Sequence, residues 1–335
     1  MKGISSIIAT LLMLIITIAL VGFSYTYISG VFTTKTSEVF YVVDSLNDTI
    51  TISNDGTAPI TAFRSVKIDG NDAVYSVSKQ DNSLVGYWKM DEGSGTIAYD
   101  SSGNGNYGPF FIPPSPSWVS GKLGFALRSA STSGLRIGNR AILNFGTGDF
   151  TLSAWVKTAN TDSIYYHQRV ITMRAGLPDQ TAGYYLTSYN GRSTFQIGDG
   201  TNFARVTSVA TNLNNDIWHH LVAIKRSGTL YLYIDGNFDN SASASTVGNI
   251  NNSVDEFQIA NYWSTGEGLD GDIDEVKVYN RALSESEIKA NYDIGAQINP
   301  GEIATIKIYN HLSKGSHTLK ICTTSTCNTA VLRIN

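Results

Sequence analysis

The chain has 335 residues, enough for two or three domains, with 16% charged residues and a formal net charge of −4. That balance excludes a nucleic-acid-binding protein, which needs a basic face. Abundant Gly (31) and Tyr (18), with sparse Lys and Glu, suit an all-β extracellular protein better than a helical one. The first predicted element is nevertheless a helix. Ile4 to Val21 holds 18 residues of Ile, Leu, Ala, Val, Met, Ser and Thr, and no charge appears between Lys2 and Lys35. As a helix this segment spans about 27 Å, close to the hydrocarbon thickness of a bilayer. Phe23, Tyr25 and Tyr27 follow at the level of an interfacial aromatic belt. The uncharged run outlasts a signal-peptide core, and no A-x-A-like site closes it, so the segment reads as retained. A helix without a polar face is buried on every side, in lipid or among other helices.

The head of this run is specific. Lys2-Gly3-Ile4 has the form that prepilin peptidases recognise, and "GISSIIATLLMLIITIALVG" resembles the N-terminal segment of archaeal type IV pilins and archaellins. The resemblance implies cleavage after Gly3, with Ile4 as the new N-terminus. Bacterial pilins carry Glu at the fifth mature position. Ile8 stands there, so the archaeal pattern fits and the bacterial one does not. A plain single-pass anchor is the competing reading.

Residues 38–80 show strand alternation and turns of the Asn-Asp-Gly and Asp-Gly-Asn kind, which predict a small β-sheet. From 84 to 294 strands follow one another with turn punctuation. "FTLSAWVKT" alternates with Phe150, Leu152, Ala154 and Val156 on one face, and "WHHLVAIKRSGTLYLYIDGN" is two strands around a Ser-Gly turn. This spacing predicts a sandwich or jelly roll. The phrases "LVGYWKMDEGSGTIAYDSSGNGNYG", "FTLSAWVKT", "WHHLVAIKRSGTLYLYIDG" and "LDGDIDEVKVYNRALSESEIKANY" keep the order of the laminin-G-like, concanavalin-A-like jelly-roll family, which they resemble over about 210 residues. The resemblance implies a binding module for glycans or proteins, often with a structural calcium ion. It also implies that Asp274 of "IDEV" lies near the first loop.

"YDSSGNGNYG" offers Asp100, Asn104 and Asn106 as hard oxygen donors on a sharply turning loop. The expected calcium ligands are Asp274 and Asp100, with Asp91 and Asn106 as weaker ones. Asx turns alone also account for these residues. Trp88, Trp155 and Trp218 lie in strand phrases and read as core. Trp118, in "PPSPSW", and Tyr262-Trp263 are the candidate glycan contacts, with packing as the alternative. His219 and His220 are adjacent in a strand, face opposite ways, and do not share a metal. No Glu-x-Asp-x-x-Glu strand, G-x-S-x-G or phosphate loop is present, so no catalytic constellation is found.

The tail from "INPGEIATIKIYN" onward has the texture of residues 38–80, and together the two flanks make one domain of about 80 residues. Their pattern resembles the β-sandwich head of archaeal pilins, with the jelly roll inserted in a surface loop. Three domains in series is the alternative. Cys322 and Cys327 do not have zinc-ligand spacing. In an oxidising compartment they close a small loop across a hairpin, and two free thiols are the alternative. Asn47 and Asn251 begin N-glycosylation sequons.

The expected architecture is mainly β. It comprises a leader (1–3), a hydrophobic assembly or transmembrane helix (4–34), a β-sandwich head (35–83 plus 296–335) and an inserted jelly roll (84–295). The expected function is a subunit of an archaeal type IV pilus-like extracellular filament, not an enzyme. Its jelly roll adheres to glycans or other cells. Its partners are copies of itself, a prepilin peptidase and, before assembly, the membrane. A membrane-anchored surface lectin is the main alternative, with a glycoside hydrolase or an archaellin behind it.

Overall fold

The structure, a computed structural model, describes residues 37–79, 81–111, 116–160, 168–174, 179, 181–261, 267–293 and 297–334. The leader residues Lys2, Gly3 and Ile4 and the apolar run to Thr34 lie outside them. Among the described residues no helix is long and apolar enough to cross a membrane.

The chain opens with β1 (Phe40–Leu46), β2 (Thr49–Asn54), β3 (Ser65–Ile68), β4 (Asn71–Asp72) and β5 (Tyr75–Ser78). Sixteen strands follow: β6 (Leu84–Trp88), β7 (Ile97–Ala98), β8 (Gly108–Phe111), β9 (Ser117–Ser120), β10 (Phe125–Ser129), β11 (Gly134–Gly138), β12 (Phe150–Lys157), β13 (Gln168–Thr172), β14 (Gly183–Tyr189), β15 (Arg192–Gly198), β16 (Phe203–Thr207), β17 (His219–Arg226), β18 (Thr229–Ile234), β19 (Asn237–Ser243), β20 (Phe257–Ile259) and β21 (Gly271–Tyr279). Helix α1 (Glu285–Asp293) and strands β22 (Ile303–Ile308), β23 (Gly315–Cys322) and β24 (Cys327–Ile334) complete it.

The first and last strands belong together. β1-β2-β22-β5 form one four-stranded sheet and β24-β23-β3-β4 another. Strict alternation builds their shared core: β2 buries Ile50, Ile52 and Asn54, and β22 buries Ala304, Ile306 and Ile308. Phe40, Val66, Val77, Ile298, Leu319 and Leu332 close the same cluster. A disulfide joins Cys322 and Cys327, which face each other across the β23–β24 hairpin.

Between these halves lie two eight-stranded sheets. One runs β19-β18-β17-β12-β21-β10-β9 with β6 on β21, and the other runs β16-β15-β14-β13-β20-β11-β8-β7. Their facing sides hold Trp88, Phe150, Leu152, Leu186, Phe195, Leu232, Phe257 and Val278, all buried in one core. Seven of the eight residues of β12 are buried, so the strand is covered on both faces rather than one. α1 helps to cover the outer side, where Tyr292 stacks on Trp155 at 5.4 Å. A capping box starts this helix: Ser284 Oγ accepts the Glu287 N–H at 3.3 Å, and Glu287 accepts the Ser284 N–H at 2.8 Å. Arg281 ties the two chain crossings together, donating to Asp81 at 2.9 Å and to Glu287 at 2.7 Å.

Candidate functional site

Two groups of residues carry chemistry beyond packing. The first surrounds the turn Gly121–Gly124. β21 is irregular where it pairs β12, between Ser153 and Trp155, and Glu275 there has φ 51°. Asp274, fully buried, accepts the Leu123 N–H at 2.9 Å through Oδ2. Asp91 accepts the Phe125 N–H at 3.1 Å through Oδ1. The turn fits only because it is glycine at both ends. A Cβ on Gly121 would lie 2.4 Å from the Phe125 carbonyl oxygen, and one on Gly124 (φ +52°) 2.2 Å from Asp91 Oδ1.

Asp274 Oδ1 and Asp91 Oδ2 are buried without a well-formed hydrogen bond, while the Tyr309 hydroxyl approaches the Asp91 carboxylate and favours its charge. Burial pushes Asp274 well above the carboxylate range, with the Glu275 charge adding to it. Burial likewise raises Asp91 to about 6. A hard divalent cation would satisfy such oxygens, and so would the protonation that burial favours. No set of three or more His, Cys, Asp or Glu among the described residues is arranged to hold a metal, so main-chain carbonyls or water would complete a shell.

Asp100 and Asn106 do not join this pair. Asp100 accepts three main-chain N–H groups, from Tyr87 (3.0 Å), Ser102 (2.9 Å) and Asn106 (2.9 Å). Asn106 donates to the Val85 carbonyl at 2.9 Å, and its own carbonyl accepts the Trp88 indole at 2.8 Å. Both residues stitch the Gly-rich loop to β6. Trp118 is half-buried, packs on Phe110 at 5.4 Å and donates to the Gly95 carbonyl at 3.0 Å. Tyr262 and Trp263 lie outside the described residues. Asn47 and Asn251 are exposed. His219 pairs with Asp235 at 2.9 Å, while His220 contacts Ser153 Oγ at 2.9 Å.

The second group is absent from the sequence reading. Pairing across β16, β15, β14, β13, β20 and β11 aligns Arg205, Gln196, Tyr185, Thr172, Gln258 and Arg136 in one row. This row lies on the side opposite the core, which takes Tyr184, Leu186, Phe195 and Ile197. Yet Tyr185, Gln196, Thr172 and Gln258 are at most 2% exposed. Arg169 places its guanidinium 3.9 Å over the Tyr185 ring and Arg174 lies 5.2 Å from it. The Tyr185 hydroxyl donates to Gln196 Oε1 at 2.6 Å, and Arg205 Nε donates to the same oxygen at 2.6 Å. Arg205 Nη2 reaches Asp179 at 2.8 Å, and Arg169 meets Glu267 at 3.4 Å. Arg205 and Asp179, each about a third exposed, form the edge of this row that a polyhydroxylated ligand could reach, and the buried Gln196 and Tyr185 fix that edge from beneath. The only sequence signal was polar alternation in "GYYLTSY" and "RSTFQIG", and this reads equally well as a solvated face.

Residues 129–289 match the family model described as Concanavalin A-like lectin/glucanases superfamily. No curated protein matches the chain. Among solved structures, the binding domain of Paraclostridial Mosquitocidal Protein 1 is similar with TM-score 0.52 and 18% identity, over 63% of this chain and 52% of that one. Domain 4 of a GH43 extracellular arabinanase from Geobacillus stearothermophilus, solved with arabinotriose, gives TM-score 0.46 and 19% identity over 62% of this chain and 97% of that one. The botulinum neurotoxin serotype D binding domain gives TM-score 0.48 and 15% identity over 63% and 50%. The chain thus spans about half the length of the toxin domains. The central part of the chain is a laminin-G-like, concanavalin-A-like jelly roll.

Proposed function

We propose that this chain is a subunit of an archaeal type IV pilus-like surface filament whose jelly roll binds glycans. The observation that carries the glycan reading is the exposed Arg205–Asp179 edge, held in place by the buried Gln196 and Tyr185 on the non-core side of a jelly-roll sheet. The filament reading is supported by the Lys2-Gly3-Ile4 head and the apolar run behind it, which in this reading is an assembly helix over residues 4–34. Copies of the chain along one filament multiply weak glycan contacts. Asp91 and Asp274 hold a structural calcium ion in this reading, and the chain has no catalytic role.

Two measurements test it. Mass spectrometry of the protein from its native cell surface should find Ile4 at the N-terminus, with filaments in the same fraction by electron microscopy. An intact Met1 without filaments would leave a membrane-anchored lectin. A glycan array should show binding by the full chain, and silence across the array would refute the glycan reading.

A further inference from the structure

The polar row also carries a charge pattern, and this inference rests on the glycan reading of that face. Around Tyr185 stand three guanidiniums (Arg169, Arg174 and Arg205) and two carboxylates, Glu267 and Asp179, among the described residues. Guanidinium is planar and presents paired donors that match a carboxylate better than a hydroxyl. Arg205 is held in plane by its Nε bond to Gln196 at 2.6 Å, and its Nη2 points to the Asp179 carboxylate at 2.8 Å.

This last pair is the accessible edge of the site. The Arg205 and Asp179 side chains are 36% and 37% exposed, whereas Tyr185 and Gln196 beneath them are buried. An ion pair so exposed contributes little and exchanges readily. The Asp179 main chain is anchored separately, since its carbonyl accepts Gln196 Nε2 at 2.9 Å. The carboxylate and the carbonyl of Asp179 thus have separate partners, Arg205 and Gln196. Burial also holds the Arg174 guanidinium below its usual range, with the Asp179 charge acting in the opposite sense.

We propose that this face selects acidic glycans, seating a sugar carboxylate on Arg205 beside Arg174 in the place that Asp179 fills. Uronates and nonulosonates share that carboxylate. The binding step forms and breaks ion pairs only.

The test uses the full chain and two matched pairs of probes: oligogalacturonate with its methyl ester, and 3′-sialyllactose with lactose. Each pair shares a sugar framework and differs in the free carboxylate. The acidic member of at least one pair should bind about tenfold more tightly, and the preferred pair identifies the sugar. Asp179→Asn should tighten acidic binding several-fold by removing the resident competitor. Arg205→Gln should bring the ratio of acidic to neutral affinity to about one. A thermal melt checks that each variant is folded. If Arg205→Gln is not, Asp179→Asn decides. Equal affinity within both pairs overturns acid selection and leaves the glycan reading standing. Weaker acidic binding by Asp179→Asn overturns the displacement. No binding to any probe or to a broad array overturns both readings.

Discussion

His220 and His317 respond to acid in opposite senses, and only one of them is buried. His220 is 2% exposed, and burial lowers it to about 3 from an ordinary value near 6.5, with the Lys277 charge adding to the effect. Between those values the unfolded chain binds a proton that the folded chain refuses, so stability falls as pH drops from about 6.5 towards 3. Over the whole window the loss is on the order of a few kcal/mol. His317 accepts the reverse logic. Its bond with Asp69 at 2.6 Å raises it, so its contribution is present in acid and is lost as pH rises, but it lies on the solvated surface and is small. Urea denaturation at pH 7 and pH 4.5 should show lower stability in acid, and His220→Gln should remove part of that difference. An unchanged difference would mean that other groups set the acid limit. The sequence placed His219 and His220 on opposite faces by strand period alone. It did not reveal that both faces of this sheet are covered, because that depends on α1 bringing Tyr292 over Trp155 and His220.

At the scale of elements, the turn Gly121–Gly124 and the β23–β24 hairpin make different predictions. Two carboxylates grip the turn, and each has one oxygen left without a well-formed hydrogen bond. Adding calcium should raise the melting temperature of the full chain, and Asp274→Asn should abolish the rise. An equal rise in the variant would place calcium elsewhere. Gly121→Ala should destabilise by about 1–3 kcal/mol, because its Cβ meets main chain rather than a flexible side chain. Reducing the Cys322–Cys327 bond closes off less. The two residues are five apart in sequence, so the loop-entropy estimate is about 2 kcal/mol, felt in one sheet of the smaller sandwich. Hydrogen exchange should show faster opening of β23 and β24 alone, and loss of protection in β12 would contradict a local role. The strands were legible because "FTLSAWVKT" and "LYLYIDG" carry period-two alternation and turn residues. Helix α1 was not separated from the β21 phrase that precedes it, although Ser284 and Glu287 form a capping box in "SESE". Asp100 accepts main-chain N–H groups of its own loop and of β6, and composition alone does not distinguish that role from cation binding.

At the scale of the whole molecule, the order of phrases in the centre made the jelly roll legible. The polar row from Arg205 to Arg136 was not, because its six residues come from six strands and only the pairing register aligns them. The flanking sandwich raises a further question, since its core takes residues from both ends of the chain and none from between Val77 and Ile298. β5 ends at Ser78, which pairs with Thr305 on β22, so the two points where the chain leaves and returns are neighbours in one sheet. A cavity of about 150 Å³ between the two bodies is lined by Lys79, Lys89, Lys277 and Arg281 together with Val77, Leu84, Tyr87, Tyr279 and Leu283, and each body keeps a hydrophobic core of its own. Joining Lys79 to Gln297 through a short Gly-Ser linker, with the residues between them removed, should therefore leave a small sandwich that melts cooperatively and keeps the disulfide. The excised piece should melt on its own and keep any glycan affinity. Dispersed amide spectra and a single thermal transition in each piece would establish two independent folding units. A flanking piece without a transition would mean that the jelly roll completes the sandwich rather than decorating it, and the insertion would then be integral to the fold of the whole chain.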